Sequence, residues 1–288
     1  MSLHAGYPTS FTEIERWAGE NGRSVLEARL RFAQYGVLLA IARSRTLGPL
    51  LVFKGGNALD FVWQPNRSTR DLDFSVDGSL EESVLARRLA SALESVERSH
   101  NVAFRVHKIE RQPPGDDKTF VTFHVRVGFC LADEAPNARK RFEEGRSPNV
   151  VPLDISLNEP ICDATEAVLG GSARVRVSTP EDIVAEKLRA LLQQSLRNRH
   201  RCQDVLDLAV ILRGNVSLDP RRVARFLETK AAARQVPVSR RAFRQSDLAE
   251  RARVDYAALQ STVRSAFIPF DEALEAVLSF VDRLPIAP

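Results

Sequence analysis

No Cys-x-x-Cys pair occurs in the 288 residues, and the three cysteines, Cys130, Cys162 and Cys202, stand far apart and are odd in number. That excludes a disulfide framework and a structural zinc site, and reads as reduced core or near-core thiols of a cytosolic protein. No apolar run reaches the roughly 18 residues a membrane helix needs, so no membrane partner is expected. A secretory signal is missing too, since His4, Gly6 and Pro8 stand where its apolar core would lie, which predicts a cytoplasmic location. Repeats of convincing period and low-complexity tracts are also lacking. The charge excess is small, 41 Lys+Arg against 37 Asp+Glu, which permits a nucleotide or nucleic-acid partner without establishing one.

What remains is an ordinary globular composition, 44% hydrophobic and 27% charged, at a length that suits an α/β domain with a helical companion. Residues 9–45 carry a helical periodicity through Leu26, Leu30, Phe32 and Leu38. Leu50–Phe53 reads as a short strand ending in Gly55-Gly56, with a short helix from Ala58 to Trp63. Leu72, Phe74 and Val76 alternate as a strand that stops at Asp77-Gly78, and residues 80–98 form an amphipathic helix. Three strands follow: one through Val102, Phe104 and Val106, one over Phe120–Phe129 and one over Val150–Leu157. The Pro-, Gly- and Asp-rich Gln112–Lys118 makes the first two an antiparallel hairpin, and Pro152 points to an edge or strand-start position for the third. Ala132–Pro148, dense in charge, reads as a solvated loop or flap.

Beyond about residue 178 the pattern turns helical. Thr179-Pro180-Glu181-Asp182 combines a capping hydroxyl, a proline at the first helical position and a carboxylate three residues after the cap. Further helices are expected over 200–212, 220–231, 239–256 and 270–284. The expected fold is therefore α+β with a mixed sheet, divided into a domain of residues 1–177, with its helical lead-in, and a helical domain of residues 178–288 that completes the active-site cleft.

The chemistry concentrates in Phe53-Lys54-Gly55-Gly56-Asn57 and in Arg67-Ser68-Thr69-Arg70-Asp71-Leu72-Asp73. Two glycines let the chain turn closely and offer backbone N–H groups to phosphate, so Lys54, Gly55, Gly56 and Asn57 form a candidate nucleotide cradle. Asp71 and Asp73 share one face of a strand, an arrangement suited to a divalent cation, Mg2+ or Mn2+, near phosphate oxygens. Asp154, between Leu153 and Ile155, is a carboxylate in an apolar strand that demands a partner or a metal; beside the other two it would assist deprotonation of an incoming hydroxyl. Lys187, on the helix begun at Pro180, has the reach for a triphosphate, with a snorkelling surface lysine as the alternative. Asp204 and Asp207 share one face of the next helix, where Asp204 would orient Lys187, assist the acceptor hydroxyl, or pair with Arg199 or Arg201. His124 lies on a polar strand face, and Arg197-Asn198-Arg199-His200-Arg201 is a basic cluster that would meet a nucleic-acid backbone or simply solvent.

The strings KGGNALDFVW…RSTRDLDFSV, VPLDIS and STPEDIVAEKLRALL…RHRCQDVLDLAVIL resemble the nucleotidyltransferase domain of AbiEii/AbiGii-type abortive-infection and toxin–antitoxin proteins, over about residues 50–213. The resemblance implies a polymerase-β-like fold with a helical C-terminal part and transfer of a nucleoside monophosphate from a nucleoside triphosphate to an RNA acceptor, in some members the 3′ end of transfer RNA. It also implies a cognate antitoxin as partner. By the same resemblance Gly55 and Gly56 belong to the phosphate-binding turn, Asp71 and Asp73 to the metal pair, and Lys187 and Asp204 to the helical motif. Thr69 looks like the Ser/Thr position that antitoxin kinases modify in some related toxins. Asn57 departs from the Ser or Thr common after the two glycines, which leaves open an altered donor preference or weakened catalysis. Transfer to a protein or small molecule, and a non-catalytic nucleotide- or antitoxin-binding module, stand as alternative functions.

Overall fold

A computed structural model describes residues 7–115, 118–170, 172–264 and 267–288. Residues 1–6, read above for a signal, and Asp116-Asp117 at the tip of the expected hairpin lie outside the described residues. The chain divides into two compact units: Met1–Val62, Thr69–Glu159 and Thr165–Val177 form one, and Trp63–Ser68, Pro160–Ala164 and Ser178–Pro288 the other.

The first unit is built on a seven-stranded mixed sheet of order β3-β4-β5-β2-β1-β7-β6. Its strands are β1 (Leu51–Lys54), β2 (Leu72–Val76), β3 (Val102–Gln112), β4 (Thr122–Leu131), β5 (Val150–Ser156), β6 (Ala164–Gly170) and β7 (Ala173–Ser178). β2 runs antiparallel to β1 and parallel to β5, and β4 is antiparallel to both β3 and β5. The helices are α1 (Ile14–Glu20), α2 (Val25–Arg43), α3 (Gly55–Ala58), α4 (Glu82–His100) and α5 (Pro136–Glu143). α2 packs on α4 and on β5, and α4 on β3. Alternation along β2 sends Leu72 and Phe74, each wholly buried, into this core, where Phe74 stacks 5.3 Å from Phe53. Each such side chain contributes about 1.5–3 kcal/mol when buried. The same alternation turns Asp71 and Asp73 to the opposite face.

Four expectations need correction. The lead-in is interrupted: a 3-10 turn at Phe11–Glu13 and α1 are separated from α2 by Gly22, which has φ +60°. β5 lies inside the sheet despite Pro152, because its ladder to β2 begins only at Leu153; Pro152 is paired with Arg126 of β4 alone, so its missing N–H breaks nothing on the other side. The charged segment 132–148 is not all loop, since Pro136 opens α5 and Phe142 anchors it in the core. β6 and β7 were not anticipated.

The second unit holds α6 (Pro180–Leu192), α7 (Gln194–Arg197), α8 (Cys202–Arg213), α9 (Pro220–Ala233), α10 (Arg240–Phe243), α11 (Ser246–Arg253) and α12 (Phe270–Val281). α6 packs on α8 and α9, and α8 on α12. Thr179 occupies the N-cap of α6 with extended backbone, but its hydroxyl is buried and makes no cap bond. Asp182, three residues on, instead pairs with Lys230 of α9 at 3.0 Å and accepts from the Cys162 N–H. The helix expected over 239–256 is split into α10 and α11. Cys130 and Cys202 are buried and Cys162 half-buried, all three as free thiols, and burial pushes the Cys162 thiol up to about 11. No helix among the described residues is long and apolar enough to cross a membrane.

Candidate active site

Sheet register assembles the site. Lys54 of β1 stands opposite Asp73 of β2, Asp73 opposite Asp154 of β5, Asp154 opposite His124 of β4, and His124 opposite Glu110 of β3. Residues paired in register project from one face, so five charged or titratable side chains form a row across five strands. His124 Nδ1 lies 2.6 Å from Asp154 Oδ1, which with an ionised carboxylate requires the proton on Nδ1. Lys54 is ion-paired with Glu159. Asp71, one residue ahead of β2, has much of its surface open, yet burial and then the charge of Asp154 raise its carboxyl above the usual range, with Arg70 and His124 pulling the other way.

The glycine turn is shaped around this row. Gly55 has φ +74°, and a Cβ there would fall 2.2 Å from Asp73 Oδ2 and 2.8 Å from its Cγ. Only glycine lets the backbone come so near the carboxylate. Asn57, two residues on, is wholly buried. Its Nδ2 donates to the Asp71 carbonyl at 2.6 Å and the Thr69 carbonyl at 3.1 Å, and its Oδ1 accepts from Arg31 Nη1 at 2.6 Å. All of that amide's bonds are made to protein groups, so Asn57 orients the approach to Asp71, and the phosphate donation considered from sequence has no free N–H in this arrangement.

The same loop is gripped from α2. Gln34 Nε2 donates to the Thr69 and Arg70 carbonyls at 3.0 and 2.9 Å, Arg31 Nη1 donates to Gln34 Oε1 at 3.2 Å, and Arg31 is ion-paired with buried Asp60. The Arg31 guanidinium also lies 4.7 Å over the Phe61 ring. Sequence reasoning missed Arg31 and Gln34 on α2 and Asp60 just after α3, polar residues that only the tertiary fold brings together in a buried site. Thr69's own hydroxyl is buried and has no hydrogen-bond partner among the described residues.

In the helical unit, Lys187 Nζ donates to Asp204 Oδ1 and Asp207 Oδ2, both at 2.8 Å, and Arg67 Nε donates to Asp207 Oδ1 at 2.7 Å and Nη2 to Oδ2 at 2.9 Å. Burial alone would lower the Lys187 ammonium, but Asp204 and Asp207 outweigh it and hold it above its usual value. Burial alone would likewise raise Asp207, and Arg67 and Lys187 instead hold it far below the carboxylate range. Lys187 and Asp204 are thus brought together, with Asp207 and Arg67 as partners that the sequence ranked lower. Arg201 is 3.8 Å from Asp204, and the exposed His200 bonds the Arg251 carbonyl at 3.2 Å.

Three carboxylates on one face, with oxygen donors only, suit a hard divalent cation in kind. Burial is the larger cause of the upward shift of Asp71, and the smaller one, the charge of Asp154, is a mutual repulsion that such a cation would relieve. As the side chains stand, however, no group of three or more His, Cys, Asp and Glu among the described residues is gathered closely enough to hold a metal ion, and Asp154 is drawn toward His124.

A mixed sheet carrying paired aspartates beside a Gly-Gly turn, followed by helices, is the architecture of the polymerase-β-like nucleotidyltransferases. Residues 37–276 match the family described as nucleotidyl transferase AbiEii toxin, type IV TA system, and the chain belongs to that family of nucleotidyltransferase toxins. Among solved structures it is similar to MenT4, a nucleotidyltransferase toxin from Mycobacterium tuberculosis, at 16% identity and a TM-score of 0.60, covering 94% of this chain and 90% of that one. It is also similar to JHP933 from Helicobacter pylori, at 17% identity and a TM-score of 0.51, over 90% and 91% of the two chains. No curated protein matches it.

Proposed function

We propose that this protein transfers a nucleoside monophosphate from a nucleoside triphosphate to an RNA 3′ end, with the acceptor end of transfer RNA as the favoured substrate. It acts in the cytoplasm as a toxin under the control of a cognate antitoxin. The observation that carries the reading is the in-register row of Asp73, Asp154 and His124 against the tightly apposed Gly55. Asp71, Asp73 and Asp154 would hold Mg2+ or Mn2+, which when bound neutralises the triphosphate and stabilises charge on the attacking and leaving oxygens. The Gly55-Gly56 turn offers backbone N–H groups to the phosphates, and Lys54 supplies positive charge beside them. Asp154 takes the proton of the attacking hydroxyl as its oxygen bonds to the α-phosphorus and pyrophosphate leaves. His124, bonded to Asp154 at 2.6 Å, keeps that carboxylate oriented.

For Lys187 and Asp204 the buried network with Asp207 and Arg67 favours a positioning task over direct contact, since Lys187 would have to leave two carboxylates to reach a triphosphate. Thr69 is the proposed control point. A phosphate on its buried hydroxyl, carrying roughly −1.5 to −2 charge, would have to pull the loop from Gln34 and Asn57. Intact-mass analysis after co-expression with the antitoxin tests this: modification at Thr69 with undiminished transfer refutes the control.

The decisive experiment incubates the protein with radiolabelled nucleoside triphosphates, total RNA and Mg2+ or Mn2+. Label removed by nuclease supports the reading. Label removed by protease, or found on a small molecule, reassigns the acceptor, and nucleotide binding without pyrophosphate release reduces the protein to a binding module.

A further inference from the structure

At the end of the sheet away from the aspartates, the first unit has a concave site. A cavity of about 440 Å³ opens between the end of α2, the turn leading into β1, and the β6–β7 pair. That volume falls within the range of small-molecule sites. Four guanidiniums line it, from Arg43, Arg45, Arg174 and Arg176, against one carboxylate, Glu166, 4.0 Å from Arg174.

Helix electrostatics explain this charge at one position only. Arg43 sits in the last turn of α2, where a cation complements the helix dipole. That does not account for Arg174 and Arg176, two residues apart and so on one face of β7, converging from a distant stretch of chain on the same space. Arg176 is fixed in place, donating to Asp77 Oδ2 at 2.8 Å and to the Pro49 carbonyl. Arg43 and Arg45 are exposed and have no hydrogen-bond or ion-pair partner among the described residues. One braced guanidinium, Arg176, with Arg174 only loosely paired and Arg43 and Arg45 unengaged, leaves donors around the cavity for a multiply charged anion, because guanidinium presents paired donors to phosphate oxygens.

The site is separate from the carboxylate row. Arg176 is held by Asp77, which directly follows β2 and lies four residues beyond Asp73, roughly 13 Å at strand rise and past the Debye length of about 10 Å at 0.1 M salt. Its arginines therefore do little to the charge of Asp71 or Asp73.

We propose that this arginine-lined cavity binds phosphate groups, presented chiefly as the backbone of a nucleic acid that the protein holds away from its carboxylate row. The proposal concerns binding alone and stands or falls independently of nucleotidyl transfer. Free polyphosphate shares the chemistry, so the test carries both probes. Fluorescein-labelled single-stranded RNA is titrated with the full chain across a range of KCl, and inorganic triphosphate is titrated calorimetrically. Wild type is compared with Arg43→Ala/Arg45→Ala and with Arg87→Ala/Lys140→Ala, a control that removes two exposed charges on α4 and α5. Circular dichroism checks the folding of each.

Losing two single-strand phosphate contacts should flatten the slope of log Kobs against log salt by about 1.4 and weaken binding about 25-fold at 0.1 M salt. The control should keep the wild-type slope. Loss of one triphosphate equivalent with RNA binding intact also supports a phosphate site and names the small anion as its occupant. Equal RNA and triphosphate binding by all three proteins, or equal losses in both variants, overturns the proposal.

Discussion

Gly55→Ala separates the geometry of the candidate site from the stability of the fold. Gly55 has φ +74°, and an alanine Cβ would lie 2.2 Å from Asp73 Oδ2, 2.8 Å from Cγ and 3.0 Å from Cβ. The left-handed backbone costs an alanine about 1–2 kcal/mol. The first distance is about 1 Å short of ordinary van der Waals contact, so the Asp73 carboxylate must retreat by roughly that much. A retreat of that size at a reacting centre costs on the order of 100-fold in rate. Gly22→Ala is the matched control: φ is +60° there, but nothing lies within 4 Å of the added carbon, so it carries the backbone strain without the collision. Both variants should lose about 1–2 kcal/mol in urea unfolding. Only Gly55→Ala should lose about two orders of magnitude in pyrophosphate release. Equal turnover by the two variants, or a rate loss in Gly55→Ala that merely follows its unfolded fraction, would refute the claim that this glycine exists to seat Asp73.

Asp71→Asn and Asp73→Asn should each abolish metal-dependent transfer, and Asp71→Asn should leave the unfolding midpoint close to wild type, because it removes a carboxylate whose charge burial and then Asp154 disfavour. Near-wild-type turnover by both would sink the assignment. Asn57→Ala removes one hydrogen bond from a charged guanidinium and two to loop carbonyls, and should cost about 2–4 kcal/mol, read by chemical denaturation; a change under about 0.5 kcal/mol would mean the clamp stabilises nothing. Asp207→Asn should cost about 3–5 kcal/mol at pH 7, since it takes the charge from a buried carboxylate to which both Arg67 and Lys187 donate. The folded state depresses the Asp207 carboxyl, so its contribution is present in full above the unfolded value of about 3.9 and is lost as pH falls below it. The gap between wild type and variant should therefore narrow in urea titrations from pH 5 to pH 3, and a gap that widens there would contradict the network.

The parts legible in the sequence were those written in local chemistry. Two glycines after a short apolar run, an Asp-x-Asp alternation and a Thr-Pro-Glu-Asp start mark β1, β2 and α6 without any knowledge of what they pack against. Alternation of Ala173, Val175 and Val177 with Arg174 and Arg176 is an equally local strand signal for β7, running directly into the helix start that follows. What was not legible depends on register. That Asp154 faces Asp73 on one side and His124 on the other follows from how three separate strands align, and a slip of one residue would send all of those side chains to the opposite face. From sequence His124 could be placed on a polar strand face, but not beside Asp154, for that reason. The clamp on Asp71 was hidden for a related one: Arg31 meets Asn57 across 26 residues, and nothing local to either distinguishes a buried pair from two solvated polar groups. The departure at Asn57, read from sequence as leaving open an altered donor preference or weakened catalysis, has a different physical meaning once Arg31 is beside it. An amide can accept from the guanidinium and donate to two carbonyls at once, whereas a serine or threonine hydroxyl has one proton to give. The longer, two-ended side chain is therefore matched to Arg31 and Gln34 on α2, which together with it hold the carbonyls of Thr69, Arg70 and Asp71 in place.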